Sequence, residues 1–191
     1  MNQKDLIERM AELLGKAGVE YMVTGGYGVI FYGRPRFSHD VDFVVNIGER
    51  ELPKVVKIFE ENDVEFSWQR LAIEEAVERK GMFDVLHLPT MTKVDFWLLK
   101  DTEFEREKFG RRKTMVMGGQ PVVLASAEDL VVQKLVWYTK AKIEKHIVDA
   151  AFVWQIQGPK LDKAYIRKWA KKLRVEKYLV KLDKIDIEEH Y

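Results

Sequence analysis

The sequence of 191 residues has no cysteine, so disulfides and thiolate metal sites are excluded. Its four histidines are scattered along the chain, which disfavours a zinc site built on histidine. No apolar run approaches the roughly 18 residues that a membrane span requires. The first residues, Met-Asn-Gln-Lys-Asp, lack the apolar core of a signal peptide. We therefore expect a cytoplasmic protein that does not interact with membranes.

The sequence also lacks a strong excess of charge of one sign. The formal net charge is +1, so the molecule as a whole is not a general binder of polyanions. A hydrophobic fraction of 47% with 12% aromatic residues is typical of a folded globular protein. This length is enough for one robust core, or for a domain with a helical appendage.

The apolar pattern changes character along the chain. Up to about residue 118 helical and strand patterns alternate, which predicts an α+β fold with a mixed sheet flanked by helices. After Ser126 the pattern is helical to the end. We therefore predict a catalytic domain over residues 1–118 and a C-terminal helical segment over 119–191. Strands are expected in the segments 19–23, 40–45, 82–88 and 93–99, the last two paired as a hairpin.

The stretch between residues 25 and 43 contains the most informative motif. Gly25 and Gly26 are followed by thirteen residues and then by Asp40-Val41-Asp42, which opens an apolar strand. Two carboxylates at i and i+2 of a strand point to the same face. Like charges held this close are usually found around a cation or sharing a proton. The motif indicates a site for a metal ion and a nucleotide, whereas an ordinary turn with a solvated strand face is the alternative.

A third acidic residue stands in a later strand. Asp95 lies within Lys93–Leu99, where a carboxylate is out of place unless it has a partner. Phosphoryl transfer needs oxygen ligands for Mg²⁺, and two ions can hold the attacking and leaving oxygens. Asp95 is therefore the best candidate for the third ligand. The alternative is a salt bridge to a strand neighbour such as Lys93.

Taken together, these residues resemble the nucleotidyltransferase superfamily of the polymerase-beta type. The superfamily pattern is an apolar residue, Gly, Gly or Ser, a spacer of roughly nine to thirteen residues, and then Asp-apolar-Asp-apolar. The spacer here is at the long end, and Thr24 stands where the general pattern has an apolar residue, as is familiar in the AbiEii-like subgroup. The segments 23–27, 36–40 and 126–130 also resemble the AbiEii-like minimal nucleotidyltransferases. The resemblance covers roughly residues 5–150 and implies a nucleotidyltransferase-like sheet.

The resemblance implies a role for each residue of the motif. It makes Asp40, Asp42 and Asp95 the catalytic residues and the ligands of two Mg²⁺ ions, with Asp95 helping to deprotonate the acceptor. It assigns nucleotide binding to Gly25, Gly26, Arg36 and Lys134. The glycines would shape the turn against the triphosphate, and Arg36 and Lys134 would contact phosphates. Both basic residues have a plain alternative as solvated surface charges.

The implied activity is the Mg²⁺-dependent transfer of a nucleoside monophosphate from an NTP to an acceptor hydroxyl. The acceptor is a protein, a tRNA or a small molecule such as an aminoglycoside or a lincosamide, and the AbiEii resemblance raises a toxin–antitoxin setting. The partners would then be a toxin–antitoxin partner or further copies of the chain. The alternative is a module that binds nucleotide or a partner without catalysis. A metal-dependent phosphatase or nuclease is disfavoured because the chain has few histidines.

Overall fold

The structure is a computed structural model that describes residues 3–190. By the distribution of contacts the chain divides into two units. The first contains the chain up to Tyr27 and the segment Ser38–Leu124, and the second contains Gly28–Phe37 and the chain from Ala125 onward. The domains predicted at 1–118 and 119–191 stay a prediction.

The first unit is built on one mixed sheet of seven strands in the order β3-β4-β5-β2-β1-β7-β6. The strands are β1 (Glu20–Val23), β2 (Asp40–Asn46), β3 (Phe66–Ser67), β4 (Met82–His87), β5 (Thr92–Leu98), β6 (Lys113–Met117) and β7 (Gln120–Leu124). Strand β2 runs antiparallel to β1 and parallel to β5, while β4 and β5 form the predicted antiparallel hairpin. The α+β fold with a mixed sheet is thus confirmed.

Helices account for most of the remaining described chain. The first unit carries α1 (Gln3–Lys16), α3 (Leu52–Glu60), α4 (Arg70–Arg79) and α5 (Glu103–Gly110). The second unit carries α6 (Ala127–Ala141), α7 (Glu144–Gln157), α8 (Lys163–Lys172) and α9 (Leu179–Leu182). The boundary between the units falls inside α2 (Gly25–Tyr32). None of the helices in residues 3–190 has the length and hydropathy needed to cross a bilayer.

A row of three aromatic side chains fixes the centre of the sheet. Phe43 of β2 and Phe83 of β4 both pair in register with Phe96 of β5. Their rings stack, with centroids 5.5 Å apart for Phe43 and Phe96 and 4.8 Å apart for Phe83 and Phe96. All three side chains are buried, and the ring of Phe59 on α3 meets Phe96 edge-on at 6.1 Å. Because a slip of one residue would turn every side chain to the other face, this row pins the register of β2, β4 and β5.

Candidate active site

The register pinned by the phenylalanines places a row of carboxylates on the opposite face of the sheet. Asp42 precedes Phe43 in β2, and Asp95 precedes Phe96 in β5. These two aspartates pair in register. One residue after Phe83, Asp84 of β4 pairs with Asp95 from the other side. Successive residues of a strand alternate between faces, so the three carboxylates lie together on the face opposite to the phenylalanine side chains. Asp40, two residues before Asp42, points to that same face.

Gly25 lies directly against the carboxylate of Asp42. A Cβ atom at position 25 would fall 1.8 Å from Asp42 Oδ2, and the glycine has φ +62°. The backbone N–H of Thr24 donates a hydrogen bond of 2.9 Å to the carbonyl of Asp42, which holds the turn on the strand. The predicted proximity of the glycine pair and the acidic pair is therefore present, with Gly25 and Gly26 opening α2 beside Asp42.

Two side chains orient the first pair of carboxylates. The indole Nε1 of Trp97, two residues beyond Asp95 on β5, donates to Asp42 Oδ1 at 3.3 Å. Ser38 Oγ donates to Asp40 Oδ1, also at 3.3 Å. Trp97 keeps 37% of its surface exposed and lies on the same face as the carboxylates. An apolar ring with one polar edge therefore borders the acidic row.

Asp95 has a partner within its own strand. Its Oδ1 lies 2.8 Å from Nζ of Lys93, and its side chain is almost fully buried whereas that of Lys93 is half exposed. Burial raises the pKa of Asp95, and the charges of Asp40 and Asp84 act in the same direction, while Lys93 opposes the shift. The salt bridge between Asp95 and Lys93, which is the alternative interpretation of the sequence, is present. Asp95 also pairs in register with Asp42. A carboxyl with a raised pKa suits the removal of a proton from a hydroxyl.

The donor chemistry of this row fits a hard divalent cation. Carboxylate oxygens on rigid neighbouring strands are the ligands that Mg²⁺ prefers. Within residues 3–190, however, no group of three or more His, Cys, Asp or Glu side chains is arranged around one point as a metal site. The ammonium of Lys93 lies at the carboxylate of Asp95. Asp40 and Asp42 are the remaining pair of predicted ligands.

The two predicted phosphate-binding residues meet in the second unit. Arg36 donates two hydrogen bonds of 3.0 Å to Asp149, from Nε to Oδ1 and from Nη2 to Oδ2. Lys134 Nζ donates to Asp149 Oδ2 at 2.8 Å. The exposed fractions of the Arg36, Lys134 and Asp149 side chains are 10%, 4% and 0%. Neither basic residue is a solvated surface charge, because both form ion pairs with the buried carboxylate of Asp149.

Sequence reasoning missed two residues of the acidic face and the residue that anchors the basic cluster. Asp84 carries the same signal that singled out Asp95, an acid inside the apolar strand β4. Trp97 gave no signal of its own, because its contact with Asp42 depends on pairing between strands far apart in sequence. Asp149 resembles an acid that follows a lysine-rich helix near the nucleotide in related proteins, with a helix-surface charge as the favoured alternative, and its ion pair with Arg36 gives no local signal because the two lie 113 positions apart.

The fold, a seven-strand mixed sheet flanked by helices, is that of nucleotidyltransferase-like structures. The model of the aminoglycoside-2''-adenylyltransferase family matches residues 6–148. The chain belongs to this family. A comparison with curated protein sequences finds no match. The AbiEii-like subgroup suggested by the sequence stays a prediction.

Solved structures with this fold include two antibiotic-modifying enzymes. The chain is similar to ANT(2'')-Ia in complex with adenylyl-2''-tobramycin, with a TM-score of 0.61 at 13% identity over 91% of this chain and 98% of that one. It is similar to the lincomycin-bound lincosamide adenylyltransferase LnuA, with a TM-score of 0.52 at 11% identity over 82% of this chain and 98% of that one. An antigenic nucleotidyltransferase-like protein from Paracoccidioides brasiliensis gives a TM-score of 0.57 at 16% identity, covering 95% and 91%. At these identities the likeness concerns the fold.

Proposed function

We propose that this protein transfers the adenylyl group of ATP to a hydroxyl group of a small molecule. The observation that carries the proposal is the pairing of Asp42 with Asp95 in register, with Asp40 on the same face and Gly25 against Asp42. The family match supports adenylyl transfer. One similar structure contains adenylyl-2''-tobramycin and another contains lincomycin. Aminoglycosides and lincosamides are therefore the first acceptors to test.

In the proposed reaction the acceptor oxygen attacks the α-phosphorus of the nucleotide. A new oxygen–phosphorus bond forms, the bond to the bridging oxygen breaks, and pyrophosphate leaves with that electron pair. The hydroxyl proton passes to a carboxylate Oδ of Asp95, whose raised pKa favours its acceptance. The N-terminus of α2, which begins at the Gly25–Gly26 turn, is the helix end that favours negative charge and would lie beside a phosphate of the nucleotide.

Asp40 and Asp42, with Asp95, would hold Mg²⁺, most simply as two ions. When bound, such ions neutralise phosphate charge and stabilise the attacking and leaving oxygens. Trp97 and Ser38 support this set by orienting Asp42 and Asp40 through one hydrogen bond each. We propose that Arg36 and Lys134 contact the phosphates of the nucleotide, with Asp149 holding both side chains.

The test is a transfer assay with ATP labelled at the α-phosphate, MgCl₂, and tobramycin or lincomycin as acceptor. We expect a labelled antibiotic whose mass has increased by one adenylyl group, together with released pyrophosphate. Asp42→Asn should lose the product, while Asp63→Asn, an exposed aspartate of the same unit, should keep it. Absence of product with every NTP and with both acceptor classes would refute transfer to these small molecules.

One observation favours a second function, a nucleotide-binding module without catalysis. The ammonium of Lys93 forms a salt bridge with Asp95, one of the three carboxylates that the reaction needs. Such a module would be stabilised by ATP, by about 2.7 kcal/mol at 100 times the dissociation constant, without forming product. A melting curve with ATP next to the transfer assay separates the two functions. Transfer to a protein or a tRNA, and a toxin–antitoxin partner, stay predictions from the sequence resemblance.

A further inference from the structure

Lys93 is surrounded by the carboxylates of the acidic face. It lies two residues before Asp95 on β5, so the two side chains share a face, and it pairs in register with Asp40 of β2. Its Nζ is 2.8 Å from Asp95 Oδ1. The carboxylates of Asp95, Asp84 and Asp40 all raise the pKa of Lys93. The ammonium therefore contacts Asp95 and is attracted by the charges of Asp84 and Asp40, all of them in the first unit.

The burial of Asp95 explains why the lysine stays beside it. The Asp95 side chain is only 7% exposed, and an uncompensated buried carboxylate is costly. Lys93 is half exposed and reaches Asp95 along a flexible stem, so its ammonium can move into water once another cation compensates Asp95. The ammonium is thus a movable positive charge at a fixed negative one.

We propose that Lys93 is a tethered cation that holds Asp95 until a divalent metal ion displaces it, so that the lysine lowers the affinity of the acidic face for metal. The inference rests on the proposed function, because that function assigns Asp95 to the metal. The lysine and the metal ion compete for the same carboxylate, since two cations at one carboxylate repel each other. Lys93 acts through Asp95 and is a positioning residue.

The proposal predicts two effects of opposite sign for Lys93→Met. Without divalent metal the variant should be less stable than the parent, because Asp95 loses its partner. With divalent metal it should bind the ion more tightly, because nothing has to be displaced. A lysine with only a structural role would lower stability and leave metal affinity unchanged. A lysine that contacts phosphate would weaken nucleotide binding and leave metal binding without nucleotide unchanged.

The experiment titrates the protein with Mn²⁺ alone and follows the free ion by electron paramagnetic resonance. Lys93→Met should bind Mn²⁺ about tenfold more tightly than the parent, a size that repulsion between neighbouring charges at a protein surface readily supplies. Lys93→Arg should behave as the parent does. Lys100→Met, which removes an exposed lysine just beyond β5, matches the change in net charge. Lys93→Gln serves if the methionine variant does not fold.

The outcomes separate this inference from the proposed function. Equal Mn²⁺ affinity of the parent, Lys93→Met and Lys100→Met overturns the competition and leaves the metal site standing. Absence of Mn²⁺ binding in all of them overturns both the metal site and the competition. In an Asp95→Asn background the substitution of Lys93 should no longer change the affinity. A persistent gain in that background would also overturn the proposal, because the lysine would then act elsewhere.

Discussion

The backbone of Gly25 and the carboxylate of Asp42 are packed so closely that no side chain fits between them. A Cβ atom at position 25 would fall 1.8 Å from Asp42 Oδ2. The glycine also has a positive φ of +62°, a conformation that other residues adopt only at a cost. The start of α2 and the start of β2 therefore constrain each other through these two residues.

Gly25→Ala should displace the carboxylate of Asp42 and remove transfer activity. We expect a loss of roughly 1–3 kcal/mol in the free energy of unfolding, the usual cost of a left-handed backbone at a residue with a side chain. Urea unfolding and the transfer assay measure the two effects. Gly15→Ala is the matched control: it lies in α1 with open space around it, so it should stabilise by roughly 0.5–1 kcal/mol. Full activity of Gly25→Ala would contradict the role of this contact.

Trp97→Phe removes the indole donor to Asp42 and keeps an apolar ring at the edge of the acidic face. The hydrogen bond is 3.3 Å long and partly exposed, so we expect a loss of about 1 kcal/mol in transition-state stabilisation, roughly fivefold in rate. The melting temperature should change little, because the ring remains. Steady-state rates and thermal melts test this pair of expectations, and an unchanged rate would show that Trp97 does not orient Asp42.

Asp149→Asn should be among the most destabilising single changes in the second unit. It leaves Arg36 and Lys134 buried without their carboxylate, and breaking a buried ion pair from one side costs about 3–5 kcal/mol. Lys134→Met should cost less, because Arg36 still neutralises Asp149. In the double variant the penalty should be smaller than the sum of the two single penalties, since one buried cation has been removed. Additive penalties in urea unfolding would contradict the cluster.

Phe96→Ala tests whether the aromatic row fixes the register behind the acidic face. Phe96 is fully buried between Phe43 and Phe83, and truncation of such a side chain costs about 3–5 kcal/mol. Val64→Ala, at a position that is 86% exposed, should stay within about 0.5 kcal/mol. We also expect Phe96→Leu to keep the fold and to lose more activity than stability. Equal losses in unfolding free energy for Phe96→Ala and Val64→Ala would contradict the role of the row.

His146 should make stability fall in mild acid. Burial lowers its pKa first, and the nearby Lys134, Lys145 and Arg36 lower it further, while Asp149 opposes them. The unfolded chain therefore binds a proton at a higher pH than the folded chain, and stability is lost as the pH falls below the ordinary value of 6.5. His146→Gln should reduce this loss, and exposed His190→Gln should not. Urea unfolding at about pH 5.5 and pH 8 measures the difference. The pKa of His87 is also lowered by burial, so part of the dependence should remain.

The local part of this structure, including the β4–β5 hairpin, could be predicted from the sequence, whereas the pairing of strands that lie far apart in the chain could not. The spacing of Gly25, Asp40 and Asp42 is readable because those residues lie close together and obey strand geometry. The isolated acid Asp95 was found because it interrupts an apolar strand. Its position next to Asp42 depends on the parallel pairing of β2 and β5, which rests on aromatic packing rather than on any local signal. The ion pair between Asp149 and Arg36 likewise depends on tertiary structure.

The ten residues Gly28–Phe37 leave the first unit for the second and return at Ser38. The chain therefore crosses between the units three times, and no single cut yields two complete pieces. During synthesis the ribosome releases the segment that carries Arg36 long before it releases Asp149, its buried partner. The ion pair between Arg36 and Asp149 can therefore form only after most of the polypeptide has been translated. Ten of the thirteen residues of the spacer thus belong to a unit whose other residues are translated only after Leu124.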